Sequence, residues 1–230
     1  MSKMHAGKVA GGRLALAGRC ERCAELVANR RRIVHGWGPV PAAVMIVGEA
    51  PGVKGADRTG VPFTGDRSGR RLQAMLMRLG LSLATDPSDP APLLHNCFLS
   101  NAVRCNPPGN RRPTRAEVAA CAPHLLAELA LVRPRLIVAV GGVASGELAA
   151  HLLGRPLPPI RQAHARPVAL PEGRWLLPML HPSRASNAAL DEVAGVMAAL
   201  LHRALAEPLT WEERVQTSEV SGPDLVTECV

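Results

Sequence analysis

Four cysteines stand in two groups: Cys20 and Cys23 form a C-x-x-C near the start, and Cys105 and Cys121 lie sixteen residues apart around a proline-rich stretch. A C-x-x-C pair brings two sulfurs toward one centre. Four sulfurs suit zinc or an iron–sulfur cluster, and spacing does not choose between them. The plain alternative is four small unligated apolar side chains. Cys97, inside an apolar run, and Cys229, near the end, fit no such group. A second concentration of chemistry is GEAPGVKGADRTGVPFTGDRSGRR at 48–71. Six glycines there are interleaved with Glu49, Asp57, Asp66 and Phe63, one of only two phenylalanines in the chain. Glycines let backbone amides come close to a ligand, and carboxylates orient water or face a developing cation. The same residues have ordinary readings: DRTG is good turn chemistry for Asp57, and Asp66 precedes a helical pattern as its cap. HPSRASN at 181–187 adds an imidazole, hydroxyls and Arg184, while the other seven histidines read as surface or structural residues.

These residues need a scaffold, and the hydrophobic pattern describes one. Residues 43–48 (AVMIVG) form an apolar run of strand length, and the glycine-rich loop then leads into a helical pattern with Leu72, Met75, Leu76 and Leu79 on one face. A second strand is predicted over 97–104. Thr114-Arg-Ala-Glu117 is a capping box, opening a helix that runs to about Val132. RLIVAV at 135–140 reads as a buried strand followed by a short helix. Trp175 to Leu180 form a fourth strand, and Ala188 to Ala206 the last helix. The alternation predicts an α/β fold in one domain: a central, mostly parallel four-stranded sheet flanked by helices on both faces, in α/β/α layers. Ligands of such sheets bind beyond the carboxyl ends of the strands, where every unusual loop falls. The domain is expected over 15–206, with flexible ends at 1–14 and 207–230.

Composition narrows the class. Hydrophobic residues make up 47% of the chain, enough for a sizeable core built from Ala, Leu and Val. Twenty-seven Lys and Arg against nineteen Asp and Glu give a net +8, the footprint of a protein that meets a polyanion. No run of eighteen apolar residues occurs, and the start has too short an apolar region for a signal peptide. The expectation is a cytosolic protein with no membrane partner.

Taken together, CERC at 20–23, GEAPG at 48–52, RTGVPFTGDRSG at 58–69, SNAVRCNPPGNRRPT at 100–114, Cys121 and HPS at 181–183 resemble, in this order, the iron–sulfur branches of the uracil-DNA glycosylase superfamily, families 4 and 5. The resemblance covers roughly residues 15–205. It implies a DNA repair enzyme that flips uracil, and in family 5 also deaminated purines such as hypoxanthine or xanthine, out of single- or double-stranded DNA and hydrolyses the N-glycosidic bond. It also implies that Cys20, Cys23, Cys105 and Cys121 hold a structural [4Fe-4S] cluster. Glu49 after Gly48 resembles family 4, while the fifteen steps from Gly48 to Phe63 and the GADRTG and FTGDRSG pattern resemble family 5 more closely. In that family the aspartate at the position of Asp57 has been implicated in catalysis.

By resemblance, His181 donates a hydrogen bond to the base oxygen as it gains charge, and Asn101 reads the base edge. Eversion costs about a few kcal/mol, which stacking on Phe63 offsets, and the backbone at Gly48, Ala50 and Gly52 lies against the base. Asp57 or Glu49 orients water and faces the cationic sugar. Ser183 and Arg184 follow the DNA backbone, and Arg67, Arg70, Arg71, Arg104, Arg111 and Arg112 neutralise phosphates. One departure stands out: family 5 often has an asparagine five residues after the histidine, where this chain has Ser186, with Asn187 one later. Two alternatives remain, a non-catalytic metal-cluster module that binds DNA and a narrow uracil-only glycosylase of the family 4 type. A nucleotide hydrolase is disfavoured because no G-x-x-x-x-G-K-[ST] is present.

Overall fold

The structure, a computed structural model, describes residues 9–16 and 18–206; the C-terminal stretch from 207 on, Cys229 included, lies outside the described residues. Four strands make the centre of the sheet: β3 (Val44–Gly48), β4 (Cys97–Asn101), β5 (Leu136–Val140) and β7 (Trp175–Met179). They are parallel, in the spatial order β4-β3-β5-β7. These are the four strands the apolar runs predicted. Every residue of β3, β4 and β5 is buried, as expected for strands covered on both faces.

Three shorter strands extend the sheet to seven. β1 (Val9–Leu14) pairs antiparallel with β2 (Gly36–Val40), β2 with β4 at one edge, and β6 (Val168–Ala169), which follows the one-turn α6 (Ile160–Ala163), with β7 at the other. The expected count of four is therefore corrected to seven, and β1 lies within the stretch expected to be flexible. β1 and β2 (VAGGRL and GWGPV) carry glycines and no alternating pattern. In β2 the glycines are required by contact: a Cβ at Gly36 would stand 2.3 Å from Phe98 Cζ.

Strand pleat divides the core in two. Val44, Ile46, Leu99 and Val138 face α3 (Arg67–Arg78) and α7 (Asn187–Ala206), while Met45, Val47, Phe98 and Ile137 face α4 (Arg115–Val132) and α5 (Gly141–Leu153). Each such fully buried side chain contributes about 1.5–3 kcal/mol. The layers are α/β/α, as predicted. The box at Thr114 is present in full: its hydroxyl accepts from the Glu117 amide at 3.2 Å, and the Glu117 carboxylate accepts from the Thr114 amide at 2.7 Å. From β3 the chain crosses to β4 on one side and then to β5 on the other, so the topological switch lies at the carboxyl end of β3. Gly48 and Asn101 are direct partners in the register at that end.

Candidate active site

A cleft opens at this switch point. Gly48, Glu49, Ala50 and Gly52 form one wall, Phe63, Thr64, Asp66 and Gly69 a second, and Asn101 and His181 close it. The ring and the imidazole, far apart in sequence, share one concavity.

Phe63 sits in the left-handed region at φ 56°, a strained position for an aromatic residue of the kind that clusters at ligand sites. The loop holds it there. Thr64 Oγ lies 2.6 Å from the Thr59 hydroxyl and donates to the Val61 carbonyl at 2.9 Å. Gly69 presses so closely that a Cβ there would stand 2.6 Å from the Phe63 carbonyl oxygen. On the other side a Cβ at Gly48 would be 2.4 Å from Asn101 Oδ1 and 2.7 Å from Phe63 Cζ, so only glycine lets the ring and the amide meet.

Asn101 is 3% exposed, and its Nδ2 has no hydrogen-bond partner among the described residues. Buried donors are almost always paired, so a lone one at a cleft is prepared for a ligand's acceptor. His181 is turned by its own loop: the Ser183 amide donates to Nδ1 at 3.3 Å, with the Ser183 hydroxyl 2.8 Å away. An Nδ1 that accepts leaves the proton of the neutral ring on Nε2. Burial lowers the His181 pKa, Asp66 opposing and Arg184 reinforcing, so the ring is a neutral donor at physiological pH. Burial raises the Glu49 carboxyl, with Arg112 and Arg184 opposing.

A second, smaller cavity is lined by Cys20, Cys23, Cys105 and Cys121, together with Leu26, Arg30, Arg104 and His124. C-x-x-C ends at the start of α1 (Ala24–Asn29), Cys105 follows β4, and Cys121 stands on α4. Arg30 donates to the Cys20 carbonyl at 2.8 Å and to Cys105 Sγ at 3.3 Å. Burial pushes the thiols of Cys23, Cys105 and Cys121 up, that of Cys121 to about 11. Thiols so placed are neutral unless a metal centre stabilises their thiolates. No three His, Cys, Asp or Glu side chains among the described residues stand around a point as a ready group for one metal ion.

Comparison with known proteins bears on the whole arrangement. A family model described as the uracil DNA glycosylase superfamily matches residues 35–201. A type-5 uracil-DNA glycosylase of Thermus thermophilus is 38% identical over 185 residues, covering 72% of this chain and 83% of the relative. The chain belongs to the uracil-DNA glycosylase superfamily. Another type-5 enzyme, of Mycobacterium leprae, is 41% identical over 70% of this chain and 75% of its own. A type-4 uracil-DNA glycosylase of Pyrobaculum aerophilum is 38% identical over 59% and 62%.

Within this superfamily member the expected site residues divide. Gly48, Glu49, Ala50, Gly52, Phe63, Asn101 and His181 line the cleft. Ser183 and Arg184 are exposed on the His181 loop. Asp57 stands elsewhere. It lies in α2 (Ala56–Thr59), is 1% exposed, and its Oδ1 accepts from the Arg31 amide at 3.1 Å with the Arg31 guanidinium 3.8 Å from Oδ2. Its carboxylate braces the loop against the segment after α1 and is not part of the cleft lining. Asp66, taken from sequence as a helix cap only, does cap α3, its Oδ1 accepting from the Gly69 amide at 2.7 Å, and also lines the cleft within electrostatic reach of His181. Of two carboxylates in similar sequence context, Asp66 lines the cleft and Asp57 does not.

The arginines divide too. Arg104, expected on phosphates, is 2% exposed and locked to Glu128 at 2.7 Å, with Ser100 donating to the same carboxylate at 2.6 Å. Arg111 forks onto Glu117 and reaches Glu25. Arg71 is committed to the His181 loop. Arg67, Arg70, Arg112 and Arg184 are exposed. Among the described residues no helix is long and apolar enough to cross a membrane.

Proposed function

We propose that the chain removes uracil from DNA, holding the everted base in the cleft and hydrolysing the bond between base and sugar to leave an abasic site. The observation that carries this reading is the meeting of Phe63, Asn101 and the Nε2–H of a neutral His181 on one cleft at the carboxyl ends of the strands. An aromatic face stacks a planar base, an amide reads its edge, and an imidazole N–H answers its carbonyl oxygen.

Bond breaking leaves the electron pair on the base and positive charge on the sugar. His181 Nε2–H stabilises the anion without giving up its proton, as fixed donors do wherever charge develops. Glu49 faces the sugar, stabilising its cation and accepting a proton from the water whose oxygen bonds to C1′. Asp66 caps α3 at the cleft wall, and Asp57 braces the loop from beneath. The departing base anion takes a proton from solvent and Glu49 returns its proton there, so water and base-bearing DNA become free base and abasic DNA with no further reactant. Family membership and the like identity of type-5 and type-4 relatives support this reading.

Cys20, Cys23, Cys105 and Cys121 hold a [4Fe-4S] cluster, for which four thiols lining one cavity, Cys105 and Cys121 buried and Cys20 and Cys23 half-buried, fit as a donor set. When bound, the cluster supplies cross-linking of α1, the loop after β4, and α4. The enzyme acts as a monomer on single- or double-stranded DNA, with its exposed arginines on phosphates. Hypoxanthine and xanthine also present a carbonyl to His181 and belong in the same assay. Labelled oligonucleotides bearing each base are incubated with the protein and treated with alkali, which cuts at abasic sites. Strand cutting at uracil is expected. No cutting at any of the three bases would overturn the reading and favour a DNA-binding module without catalysis.

A further inference from the structure

Arg71 stands on α3, eight residues after Phe63, yet its side chain is spent on the loop after β7. Its Nη1 donates to the carbonyl oxygens of Pro182 and of Ala185, the latter at 2.8 Å, and its Nη2 donates to Asn187 Oδ1 at 2.9 Å. One planar fork thus satisfies two acceptors on the seven-residue loop that carries His181 and a third on the first residue of α7. Within itself that loop is a tight turn, the Arg184 and Ala185 amides both donating to the His181 carbonyl, at 2.8 and 3.1 Å. The turn ends at Ser186, whose hydroxyl accepts from the Ala189 amide and caps α7. Such a turn keeps its own shape but does not by itself fix its distance from the opposite wall of the cleft.

That distance matters, because the opposite wall carries the ring. The first turn of α3 is packed on the Phe63 backbone through Gly69 and fixed by the Asp66 cap. Arg71 leaves the same helix two residues later. α3 is therefore the shared reference for both halves of the cleft, touching the ring's backbone with one residue and the imidazole's loop with another. The exposed Arg78–Asp191 pair at 2.8 Å joins α3 to α7 farther along, but it is solvated and contributes little.

We infer that Arg71 is a positioning residue for catalysis: by tying the carbonyls of Pro182 and Ala185 and the Asn187 amide to α3, it sets the separation between His181 and the Phe63 platform. The inference rests on the proposed reading of the cleft. It also gives Asn187 a role as an acceptor for the tie, and removes Arg71 from the residues available to phosphates. A lysine cannot replace it, since an ammonium on a flexible stem is a point charge and not a fork that reaches three acceptors.

The test is single-turnover excision of uracil from an oligonucleotide by the wild type, Arg71→Ala and Arg71→Lys, with DNA concentration varied to separate the maximal rate from the half-saturating concentration. Misplacing a catalytic group by about 1 Å costs on the order of 100-fold, so Arg71→Ala should lose roughly 10- to 100-fold in maximal rate. Half-saturation should move by less than about threefold, because ground-state contacts remain. Arg71→Lys should stay within about threefold of the alanine variant. Millimolar guanidinium, at matched ionic strength, should restore part of the rate to Arg71→Ala and none to His181→Ala. Thermal melts of each variant identify any that has lost its fold, and the guanidinium comparison is made on folded protein. An inactive wild type would overturn the reading of the cleft itself. With an active wild type, an Arg71→Ala or Arg71→Lys rate within twofold of it would overturn the tie alone.

Discussion

His181 takes its tautomer from a backbone amide and a hydroxyl two residues away, so no carboxylate partner is needed to aim its Nε2–H. Removing one such donor costs about 100- to 1000-fold in rate elsewhere, and His181→Ala should lose that much in single-turnover excision while its melting temperature stays within a few degrees. A loss below tenfold would remove the imidazole from the chemistry. The carboxylates are separable in the same way. Asp66→Asn keeps a cap acceptor for Gly69 and removes a charge that only raises the His181 pKa, so it should melt like the wild type and excise at close to its rate. Asp57→Asn touches the brace at Arg31 and should lower stability more than rate. The reverse pattern would return the water-orienting role to Asp57. Glu49 titrates above the ordinary carboxylate range, so the rate should fall as pH drops through that raised value; Glu49→Gln should be slow and lack this limb. The placement of Glu49, Asn101 and His181 was legible in sequence because each sits in a short motif at a strand end, and that of Phe63 because it stands in the glycine-rich loop between β3 and α3. Which aspartate faces the cleft was not legible: ADRT and GDRS look alike, and the choice is made by a one-turn helix at 56–59 that turns Asp57 inward.

At the scale of elements, the capping box at Thr114 carries a measurable consequence. The Arg111 fork, with the Thr114 amide, holds the Glu117 carboxyl down to about 2. A folded-state value below the unfolded one means stability that is fully present above about 4.5 and lost as pH falls toward about 2. Glu117→Gln should therefore cost about 1–3 kcal/mol at pH 7, with the gap to wild type narrowing in urea melts near pH 3. A gap independent of pH would deny the carboxylate this role. The four central strands were readable because their apolar runs are continuous, as sheets buried on both faces require. β1 and β6 escaped because they are edge strands, and β2 because it is glycine-bearing and fixed by contacts such as Gly36 on Phe98 that no local pattern announces.

Across the whole molecule, a net charge of +8 forecast a polyanion partner but not which arginines meet it. Arg104 was misassigned because its neutralising partner, Glu128, lies far along the chain and joins it only in the folded core. Exposed Arg112 should lower the slope of log affinity against log salt by about 1 when changed to Ala, whereas Arg104→Ala should destabilise the fold. The cysteines were legible as a set, and the fold brings all four to one cavity that joins three elements. The purified protein should be coloured, and Ser at Cys20, Cys23, Cys105 or Cys121, but not at Cys97, should bleach it and lower its melting temperature. Colourless protein loaded with zinc would refute the cluster. The central claim, that ring, amide and imidazole grip one everted base, is tested most directly by a crystal structure with duplex DNA carrying 2′-fluoro-deoxyuridine, whose fluorine blocks cation formation and so keeps the base attached. The account predicts uracil stacked on Phe63, with Asn101 on its edge and His181 Nε2 within hydrogen-bond distance of a uracil carbonyl oxygen. Uracil bound in any other concavity, or still paired within the duplex over an empty cleft, would contradict it.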